Sequence, residues 1–204
     1  MARKNKSSKP RIVARAELPT QYGKFTIIGI EGAKPTESAV ALQHGQVKRG
    51  VAPLVRIHSQ CLTGDVFHSE RCDCRAQLEM ALRQTGRARC GIVIYLPQEG
   101  RGIGLMNKLK AYELQDRGMD TVDANRKLGF EADHRDYRFC AEALKLLGVR
   151  AVRLMSNNPD KAQQLEKSGV QVVERVPCQP PTTHRSRRYL LTKKTKLGHL
   201  LEGI

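Results

Sequence analysis

Three of the six cysteines lie close together in the stretch CLTGDVFHSERCDC, as Cys61, Cys72 and Cys74. Thiolates are preferred zinc ligands, and a zinc ion held by three protein groups keeps a fourth position for water or substrate. A metal ion in such a site can turn a bound water into a nucleophile at neutral pH. The spacing C-x10-C-x-C therefore predicts a zinc site suited to hydrolysis.

Two other interpretations of the cysteine cluster are compatible with the pattern. Either His58 or His68 would complete a closed structural zinc site with four protein ligands. Alternatively, the three thiols carry no metal and belong to a core or a loop. The other cysteines, Cys90, Cys140 and Cys178, are expected to be ordinary apolar or loop thiols.

The stretch PQEGRGIG, residues 97–104, has the composition of a phosphate-binding loop. It lies between a predicted strand and a predicted helix, at the edge of an α/β sheet where ligands usually bind. Its glycines allow close approach of the backbone, and the following helix N-terminus favours an anion. Arg101 adds a planar donor for phosphate. The same pattern also fits an ordinary turn before a helix.

Polar residues mark two further positions where a helix is predicted to begin. Asp133 and Arg135 precede one helix, whereas Ser156 and Lys161 follow a strand at its C-terminal end. Capping of the helix N-termini explains both groups equally well from pattern alone.

The chain of 204 residues has a formal net charge of +16, which favours anionic partners such as nucleic acid, an anionic membrane or a phosphorylated small molecule. Aromatic residues make up only 4%, which weighs against stacking on single-stranded nucleic acid. No apolar run reaches the roughly 18 residues of a membrane span, and the basic N-terminus has no signal-peptide apolar region. We therefore expect a cytoplasmic protein with reduced thiols.

Hydrophobic periodicity predicts the elements that must position these residues. Strands are predicted at residues 24–30, 51–59, 90–97, 149–155 and 170–177. Helices are predicted at residues 75–86, 104–118, 137–148 and 157–169. From about residue 75 strands and helices alternate, which predicts a three-layer α/β fold. Its mixed sheet would carry helices on both faces and an additional β element at the N-terminal side.

The remaining segments are predicted to lack regular structure for the most part. Residues 1–11 are expected to be a disordered basic tail, and residues 12–204 a single domain. Residues 31–50 are predicted to be a loop with one short element, and residues 177–188 a proline-rich basic loop before a short C-terminal segment.

Two details of the predicted helices bear on the site. Gly86 is expected to end the first helix. In the second, Leu105, Leu109 and Tyr112 fall on one apolar stripe, so periodicity alone places Tyr112 in the core.

Taken together, six motifs resemble GTP cyclohydrolase II. They are RIHSQCLTGDVFHSERCDCRAQLE, LPQEGRGIGLMNKLKAYELQD, DTVDANRKLGF, ADHRDYRFCAEALKLLGV, SNNP and TKLGHLL, in this order and at matching spacing. The resemblance covers roughly residues 12–202. It is closest to the stand-alone form, because the chain lacks the dihydroxybutanone-phosphate synthase domain that is often fused to the family.

This resemblance implies hydrolysis of GTP to 2,5-diamino-6-(5-phosphoribosylamino)pyrimidin-4(3H)-one, formate and pyrophosphate, the first step of riboflavin biosynthesis. It implies one catalytic Zn²⁺ per chain and Mg²⁺ with the GTP phosphates. It also implies a homodimer that has GTP as its partner, with no nucleic acid and no membrane.

By position, the resemblance implies a role for particular residues. The implied zinc ligands are Cys61, Cys72 and Cys74. The implied catalytic residues are Asp133 as proton acceptor, Arg135 as nucleophile at the α-phosphate, and Tyr112 near the ring opening. The implied substrate-binding residues are Arg56, Ile57, His58, Ser59, Gln60, Gln77, Glu99, Gly100, Arg101, Thr121, Ser156 and Lys161.

The chain departs from the family pattern at two of these positions. Gln60 replaces the usual Glu, which removes a negative charge and a possible base beside the first zinc ligand. Ser156 replaces Thr and keeps the hydroxyl. Gln60 motivates an alternative, a relative that opens the ring but retains the formyl group. A zinc-stabilised nucleic-acid-binding protein is the alternative from another functional class.

Overall fold

A computed structural model describes residues 9–131 and 135–204 of the protein. Its strands form one seven-stranded sheet in the order β1-β2-β3-β5-β4-β6-β7. The strands are β1 Arg11–Thr20, β2 Gly23–Glu31, β3 Ser38–His44, β4 Leu54–Ser59, β5 Gly91–Leu96, β6 Ala151–Met155 and β7 Gln171–Val176. The helices are α1 Leu62–Asp65, α2 Cys74–Arg87, α3 Leu105–Asp116, α4 Thr121–Lys127, α5 Arg138–Leu146, α6 Pro159–Lys167 and α7 His184–Leu197, with a short 3₁₀ segment at Glu99–Gly102.

The sheet is antiparallel on one side and parallel on the other. Strands β1, β2, β3 and β5 pair antiparallel, whereas β5, β4, β6 and β7 run parallel. The C-terminal ends of the four parallel strands therefore lie at the same edge of the sheet. In α/β sheets this edge is where ligands bind, because the connecting loops there can converge on one crevice.

Helices cover both faces of the sheet, which confirms the predicted α/β class. On one face, Ile57 and Ile94 of the central strands pack with Leu144 of α5 and Leu165 of α6. On the other face, Val93 packs with residues of α2. Successive side chains of a strand point to opposite faces of the sheet, and both faces are covered by helices. The central strands are therefore buried on both sides, as their continuous apolar sequence predicts.

The predicted apolar stripe of α5 is confirmed. Tyr137, Cys140 and Leu144 have no exposed surface, and Leu147 is 8% exposed. The predicted cap of α6 is also confirmed, since the Asn158 side chain accepts a hydrogen bond of 3.0 Å from the Asp160 amide. Asn158 thus satisfies one of the free donors at the helix start.

The N-terminal β element is larger than predicted. Arg11, expected to belong to the tail, is the first residue of β1, and β1 forms a hairpin with β2. The short element expected in residues 31–50 is β3. Strand β1 lies at the sheet edge and is largely exposed. Exposure on both sides leaves no period-two apolar pattern, which is why the sequence did not indicate a strand there.

The prediction for residues 177–188 is wrong in its second half. Helix α7 begins at His184 within this stretch. Thr183 and Ser186 form a reciprocal capping box, in which the Thr183 hydroxyl accepts from the Ser186 amide at 3.1 Å and the Ser186 hydroxyl accepts from the Thr183 amide at 3.1 Å. The prolines before Thr183 are typical of a loop, and the sequence analysis therefore did not detect the capping signal at the start of this helix. Helix α4 was likewise not predicted.

Within the described residues, no helix combines the length and the apolar character needed to cross a membrane.

Gly86 does not end α2 as predicted, because the helix continues to Arg87. The glycine is needed for packing: a Cβ built on it would lie 2.2 Å from the carbonyl oxygen of Tyr22 in the β1–β2 turn. The close approach of α2 to this hairpin therefore excludes any side chain at position 86.

We expect Gly86→Ala to lower the free energy of unfolding by about 2 kcal/mol or more, because the added methyl group overlaps the Tyr22 carbonyl. Helix propensity alone predicts the opposite sign, a gain of about 1 kcal/mol. Chemical denaturation measures the difference. Gln84→Ala, at an exposed position of the same helix, is the control and should change stability by less than about 0.5 kcal/mol. A stabilised Gly86→Ala protein would contradict the packing argument.

Candidate active site: a thiolate cluster beside a cationic cavity

The three clustered cysteines come together where β4 ends and α2 begins. Cys61 follows β4 and Cys74 is the first residue of α2. The Sγ atoms of Cys61, Cys72 and Cys74 lie within 4.8 Å of one another. Gly64 makes room for them, since a Cβ at this residue would lie 3.1 Å from the Cys72 sulfur and 3.2 Å from the Cys61 sulfur.

The donor set of the cluster fits a zinc ion. Three converging sulfurs are soft ligands of the type that zinc prefers. Among the described residues, the cluster includes no histidine or carboxylate as a fourth ligand. His58, one candidate for that position, instead has its Nε2 atom 3.2 Å from the Asp65 carboxylate. His68, the other candidate, is exposed.

Lys108 of α3 is the nearest cation to the cluster. Its Nζ lies 3.1 Å from the Cys61 sulfur and donates to Thr63 Oγ1 at 2.9 Å. It also donates to Glu99 at 2.8 Å, and the second Glu99 oxygen accepts from the Leu62 amide at 2.6 Å. This buried ammonium therefore connects the thiols to the loop that follows β5.

The environment favours a thiolate at Cys61. Hydrogen bonds from the Cys72 and Cys74 thiols, together with the Lys108 ammonium, lower the pKa of Cys61. The same shared hydrogen bonds raise the pKa of Cys72 to about 11 and that of Cys74 well above its ordinary value. The ammonium of Lys108, 3.1 Å from the Cys61 sulfur, thus stabilises a thiolate at this position.

Behind the cluster lies a buried group of polar side chains around Asp65. Its carboxylate accepts from the Cys61 amide at 3.0 Å and from the Tyr95 hydroxyl at 2.9 Å. The ring of His58 stacks on that of Tyr95, with centroids 5.6 Å apart. Burial lowers the pKa of His58 even though the bond to Asp65 opposes this. Asp65 therefore holds the start of the cysteine loop against β4 and β5.

Tyr112 faces the cluster, so the core position predicted from periodicity is wrong. Its hydroxyl lies 3.1 Å from Thr63 Oγ1, and the Arg71 guanidinium lies 4.8 Å from its ring centroid. Leu109, predicted on the same buried stripe, is 43% exposed. The buried face of α3 carries Lys108 and Ala111 instead. Helix α3 therefore packs against a polar site, and not against the apolar core that its hydrophobic pattern predicted.

A cavity of about 1070 Å³, which includes space open to solvent, adjoins the thiols. Most of the predicted site residues line it. They are Arg56, His58, Ser59, Gln60, Cys61, Cys72, Cys74, Gln77, Glu99, Gly100, Arg101, Tyr112, Thr121, Arg135, Ser156 and Lys161. Asp133 lies outside the described residues.

Ile57 is the predicted site residue whose side chain lies elsewhere. It is fully buried in the apolar core on the opposite face of the sheet from Arg56 and His58. Successive side chains of a strand point to opposite faces, so a contiguous run of residues 56–60 cannot all face one cavity. Only the backbone of Ile57 reaches the site, where its carbonyl accepts from Lys161 at 2.9 Å.

The loop after β5 has two consecutive residues in the left-handed region, Gly100 and Arg101, each with φ of 62°. This conformation is strained for an arginine. Arg101 lines the cavity, where both terminal nitrogens of its guanidinium are buried and have no hydrogen-bond partner among the described residues. Buried donors of this kind are expected to find a partner, and here a bound anion would supply it.

The cavity is strongly cationic. Seven lysine or arginine side chains line it, whereas Glu99 provides the only carboxylate among its described lining residues. Lys161 is 5% exposed. Burial, and then the charges of Arg56 and Arg135, lower its pKa well below the ordinary lysine value. An anion placed among these groups would relieve their mutual repulsion.

Sequence reasoning did not identify several residues of this site. Lys108 had no motif of its own and looked like a surface lysine. Tyr189, Lys193 and His199 also line the cavity, but they lie in the short C-terminal segment, for which the sequence analysis predicted no helix. The capping signal at Thr183 was the available indication that this segment is helical.

The fold and site together define a class: an α/β protein in which a cluster of three cysteines opens into a strongly cationic cavity. The sequence model of GTP cyclohydrolase II matches residues 10–177. A GTP cyclohydrolase-2 of Buchnera aphidicola (subspecies Acyrthosiphon pisum, strain APS) is 49% identical over 191 residues, which is 94% of this chain and 98% of that protein.

Two further comparisons involve proteins longer than the shared region. The riboflavin biosynthesis protein RibBA of Endomicrobium trichonymphae is 48% identical over 192 residues, 94% of this chain and 48% of that protein. The crystal structure of RibBX from A. baumannii, a two-domain 3,4-dihydroxy-2-butanone 4-phosphate synthase, has a TM-score of 0.45 and 17% identity, covering 87% of this chain and 42% of that one. The family match and the identity to the Buchnera protein show that this chain belongs to the GTP cyclohydrolase II family of riboflavin biosynthesis.

Replacing one cluster cysteine tests the metal site. We expect Cys72→Ala to reduce bound zinc from about one ion per chain to a small fraction, because two sulfurs cannot hold the ion as three do. Metal analysis after gel filtration measures this. Cys90→Ala, which removes a buried thiol outside the cluster, should retain the metal. Equal zinc content in both variants would contradict the assignment.

Replacing the buried Lys161 should have different effects on the free energy of unfolding and on the binding of GTP. We expect Lys161→Met to keep or raise the free energy of unfolding, because an isolated buried charge is costly. It should weaken GTP binding by roughly 10- to 100-fold, the loss expected for a charged hydrogen bond. Denaturation and calorimetric titration measure the two effects. Lys167→Met, on the exposed face of α6, is the control.

The same variant has a pH signature. Because the pKa of Lys161 is lowered in the folded protein, the unfolded chain binds this proton more tightly. The stability of the wild type should therefore rise with pH toward the ordinary lysine pKa of about 10.4, and Lys161→Met should lose this part of the slope. An unchanged slope would mean that Lys161 is not desolvated as the structure implies.

Proposed function

We propose that this protein is a zinc-dependent GTP cyclohydrolase II that converts GTP to 2,5-diamino-6-(5-phosphoribosylamino)pyrimidin-4(3H)-one, formate and pyrophosphate. The observation that carries the proposal is the junction of two features: a three-thiolate cluster opens directly into a cavity lined by cations. GTP combines the two matching parts, a polyphosphate and a ring that is hydrolysed. Membership of the family supports the same substrate.

The thiolates of Cys61, Cys72 and Cys74 would hold the zinc ion. When bound, this ion supplies a Lewis acid that makes water nucleophilic toward the guanine carbon between N7 and N9. Lys108 offsets part of the negative charge of the three sulfurs, through its contact of 3.1 Å with Cys61. It thereby keeps the cluster compact.

The cations of the cavity would bind the triphosphate. Arg101 presents buried guanidinium donors that have no hydrogen-bond partner within residues 9–131 and 135–204, which suits bidentate binding of a phosphate. Lys161 lies in the first turn of α6, which follows β6, and Arg56 lies within β4. Mg²⁺ would enter with GTP and be bound mainly by phosphate oxygens, because the described lining residues offer only the Glu99 carboxylate, which Lys108 and the Leu62 amide already occupy.

Arg135 and Tyr112 would act on different parts of the substrate. Arg135 lines the cavity and would act at the α-phosphate, either as the nucleophile or by stabilising charge on the transferred phosphoryl group. Tyr112 would donate a proton to the nitrogen released when the ring opens. Its hydroxyl is oriented by Thr63, which is itself bonded to Lys108. Asp133 would accept a proton near Arg135.

Three further properties belong to this proposal. Ser59, Gln60, Gln77, Thr121 and Ser156, which line the same cavity, would contact the nucleotide. The protein would act as a homodimer in the cytoplasm. It would bind neither nucleic acid nor a membrane.

Incubation of the zinc-loaded protein with GTP and Mg²⁺ tests the proposal. Pyrophosphate, formate and the diaminopyrimidine should form in equal amounts. The diaminopyrimidine is measured by its absorbance. Gln60 favours one alternative, because it places a neutral amide in the cavity next to Cys61. Release of pyrophosphate without formate would support the formyl-retaining reaction. Absence of both products would overturn the proposed function.

We expect Tyr112→Phe to release pyrophosphate but to form formate at least roughly 100-fold more slowly, because a positioned proton donor contributes rate enhancements of this size. Quenched time courses of both products measure this. Tyr22→Phe, in the distant β1–β2 turn, should behave as the wild type. Equal slowing of the two products in Tyr112→Phe would contradict the division of roles.

A further inference from the structure

Helix α7 and the residues after it contribute directly to the wall of the cavity. Tyr189 and Lys193 of α7 line the cavity together with His199. All three lie beyond residues 10–177, the range that the family model matches. The helix therefore adds to the site from outside the range that the family model matches.

Polar contacts attach this segment to the rim of the cavity. Lys196 donates to Asp120 at 2.5 Å and to Asp123 at 2.8 Å, at the start of α4. The Leu200 amide donates to the carbonyl of Asn157, after β6, at 2.8 Å. The segment is thus attached on both sides of the crevice at the strand ends.

The most buried of these contacts joins α7 to the cysteine loop. Lys193 Nζ donates to Asp73 Oδ1 at 2.7 Å, and both side chains are less than one tenth exposed. Asp73 lies in sequence between Cys72 and Cys74. The helix therefore reaches the residue that separates two of the three sulfurs of the cluster.

A chain of hydrogen bonds continues from Asp73 across the floor of the cavity. The second oxygen of Asp73 accepts from Gln77 Nε2 at 2.5 Å. Gln77 Oε1 accepts from Arg56 at 2.6 Å, and Arg56 also donates to the Met155 carbonyl at 3.1 Å. The direction of this chain is determined by its charged members. Asp73 can only accept and Arg56 can only donate, so the Gln77 amide has a single orientation that satisfies both.

Lys193 is the group that makes this arrangement electrostatically possible. Without it, Asp73 would be a buried carboxylate with no direct ion pair among the described residues, next to a cavity that would accept a triphosphate. A buried charge that loses its partner is strongly destabilising, and it relaxes by moving or by taking up a proton. Either change would release Gln77, and with it the position of Arg56.

A second contact connects α7 to the loop after β5. The Tyr189 ring contacts two cations, with Lys193 Nζ 4.5 Å and the Arg101 guanidinium 5.8 Å from its centroid. Aromatic rings attract cations placed over their faces. Tyr189 thus provides a favourable contact to each of these two cations at the cavity wall.

We propose that α7 is a structural part of the active site, and that Lys193 is a positioning residue for it. Lys193 acts through Asp73 to hold the cysteine loop, and through Gln77 to hold Arg56 in the orientation that binds nucleotide phosphate. This inference rests on the proposed function for the identity of the ligand. The arrangement of Lys193, Asp73, Gln77 and Arg56 does not depend on it.

Three variants test the proposal: Lys193→Met, Lys193→Arg and the control Lys194→Met, which changes the neighbouring exposed lysine of the same helix. The probe is a GTP analogue with a methylene group between the α- and β-phosphates. Its affinity is measured by calorimetric titration, and zinc affinity by competition with a chromogenic chelator. Unfolding temperature is recorded for each variant.

Lys193→Met should weaken analogue binding or zinc binding by roughly 10- to 100-fold, the range found when a residue supporting a metal site is removed. Lys193→Arg should recover most of the loss, because it keeps a charged donor for Asp73. Lys194→Met should match the wild type. The proposal is overturned if Lys193→Met retains wild-type affinity for both ligands, or if Lys193→Arg is impaired as severely as Lys193→Met.

Hydrogen exchange without nucleotide separates this inference from the proposed function. Lys193→Met should accelerate exchange in residues 72–77 and in α7, whereas Lys194→Met should not. If the wild type neither binds the analogue nor hydrolyses GTP, the proposed function fails. In that case, faster exchange of residues 72–77 in Lys193→Met would still support the positioning role of Lys193. Unchanged exchange of these residues would contradict it.

Discussion

Three sulfur atoms held within 4.8 Å of one another are the constraint on which this structure depends. Thiolates at such distances repel, so a positive charge must lie close to them if more than one is to ionise. Lys108 provides it from α3. The same ammonium binds Glu99, which in turn accepts from the Leu62 amide. One buried cation therefore connects the cysteine loop, the loop after β5 and helix α3, and fixes their relative positions.

The parallel half of the sheet explains why cations collect beside this cluster. Strands β4, β5 and β6 end at the same edge, and each is followed by a segment that supplies polar groups. The resulting cavity holds seven cationic side chains against one described carboxylate. Such an excess lowers the stability of the free protein, and ligand binding can recover it. Sites that are unfavourable without their ligand are a common cost of function.

The contribution of α7 extends this principle to the C-terminal part of the chain. Its lysine is paired with the residue between two cysteines, and its tyrosine contacts the arginine of the phosphate loop. The cysteine cluster and the cationic cavity are thus connected by a helix that is distant from both in sequence. The buried ion pair acts less as a source of stability than as a means of fixing one geometry.

The sequence by itself determined the α/β class, most central elements and the residue types that meet at the candidate site. Cys61, Cys72 and Cys74 indicated a metal, and Gly100 with Arg101 indicated a phosphate loop, because these residue types have few other common uses in such patterns. Periodicity was reliable where a face is uniformly apolar, as in α5. It was wrong for Tyr112 on α3, because it cannot distinguish an apolar partner from a polar cavity. It also could not reveal β1, whose faces are both exposed.

Only the tertiary structure decided which side chains share the cavity. Strand alternation put Ile57 in the core between two cavity residues, Arg56 and His58, although the motif is continuous. Gly86 is required by a carbonyl 64 residues earlier in the chain, not by the end of its helix. Lys108 and Lys193 have the sequence environment of surface lysines, and only long-range packing made them partners of Cys61 and Asp73. Local patterns report propensity and chemistry, whereas burial and pairing depend on contacts between residues distant in sequence.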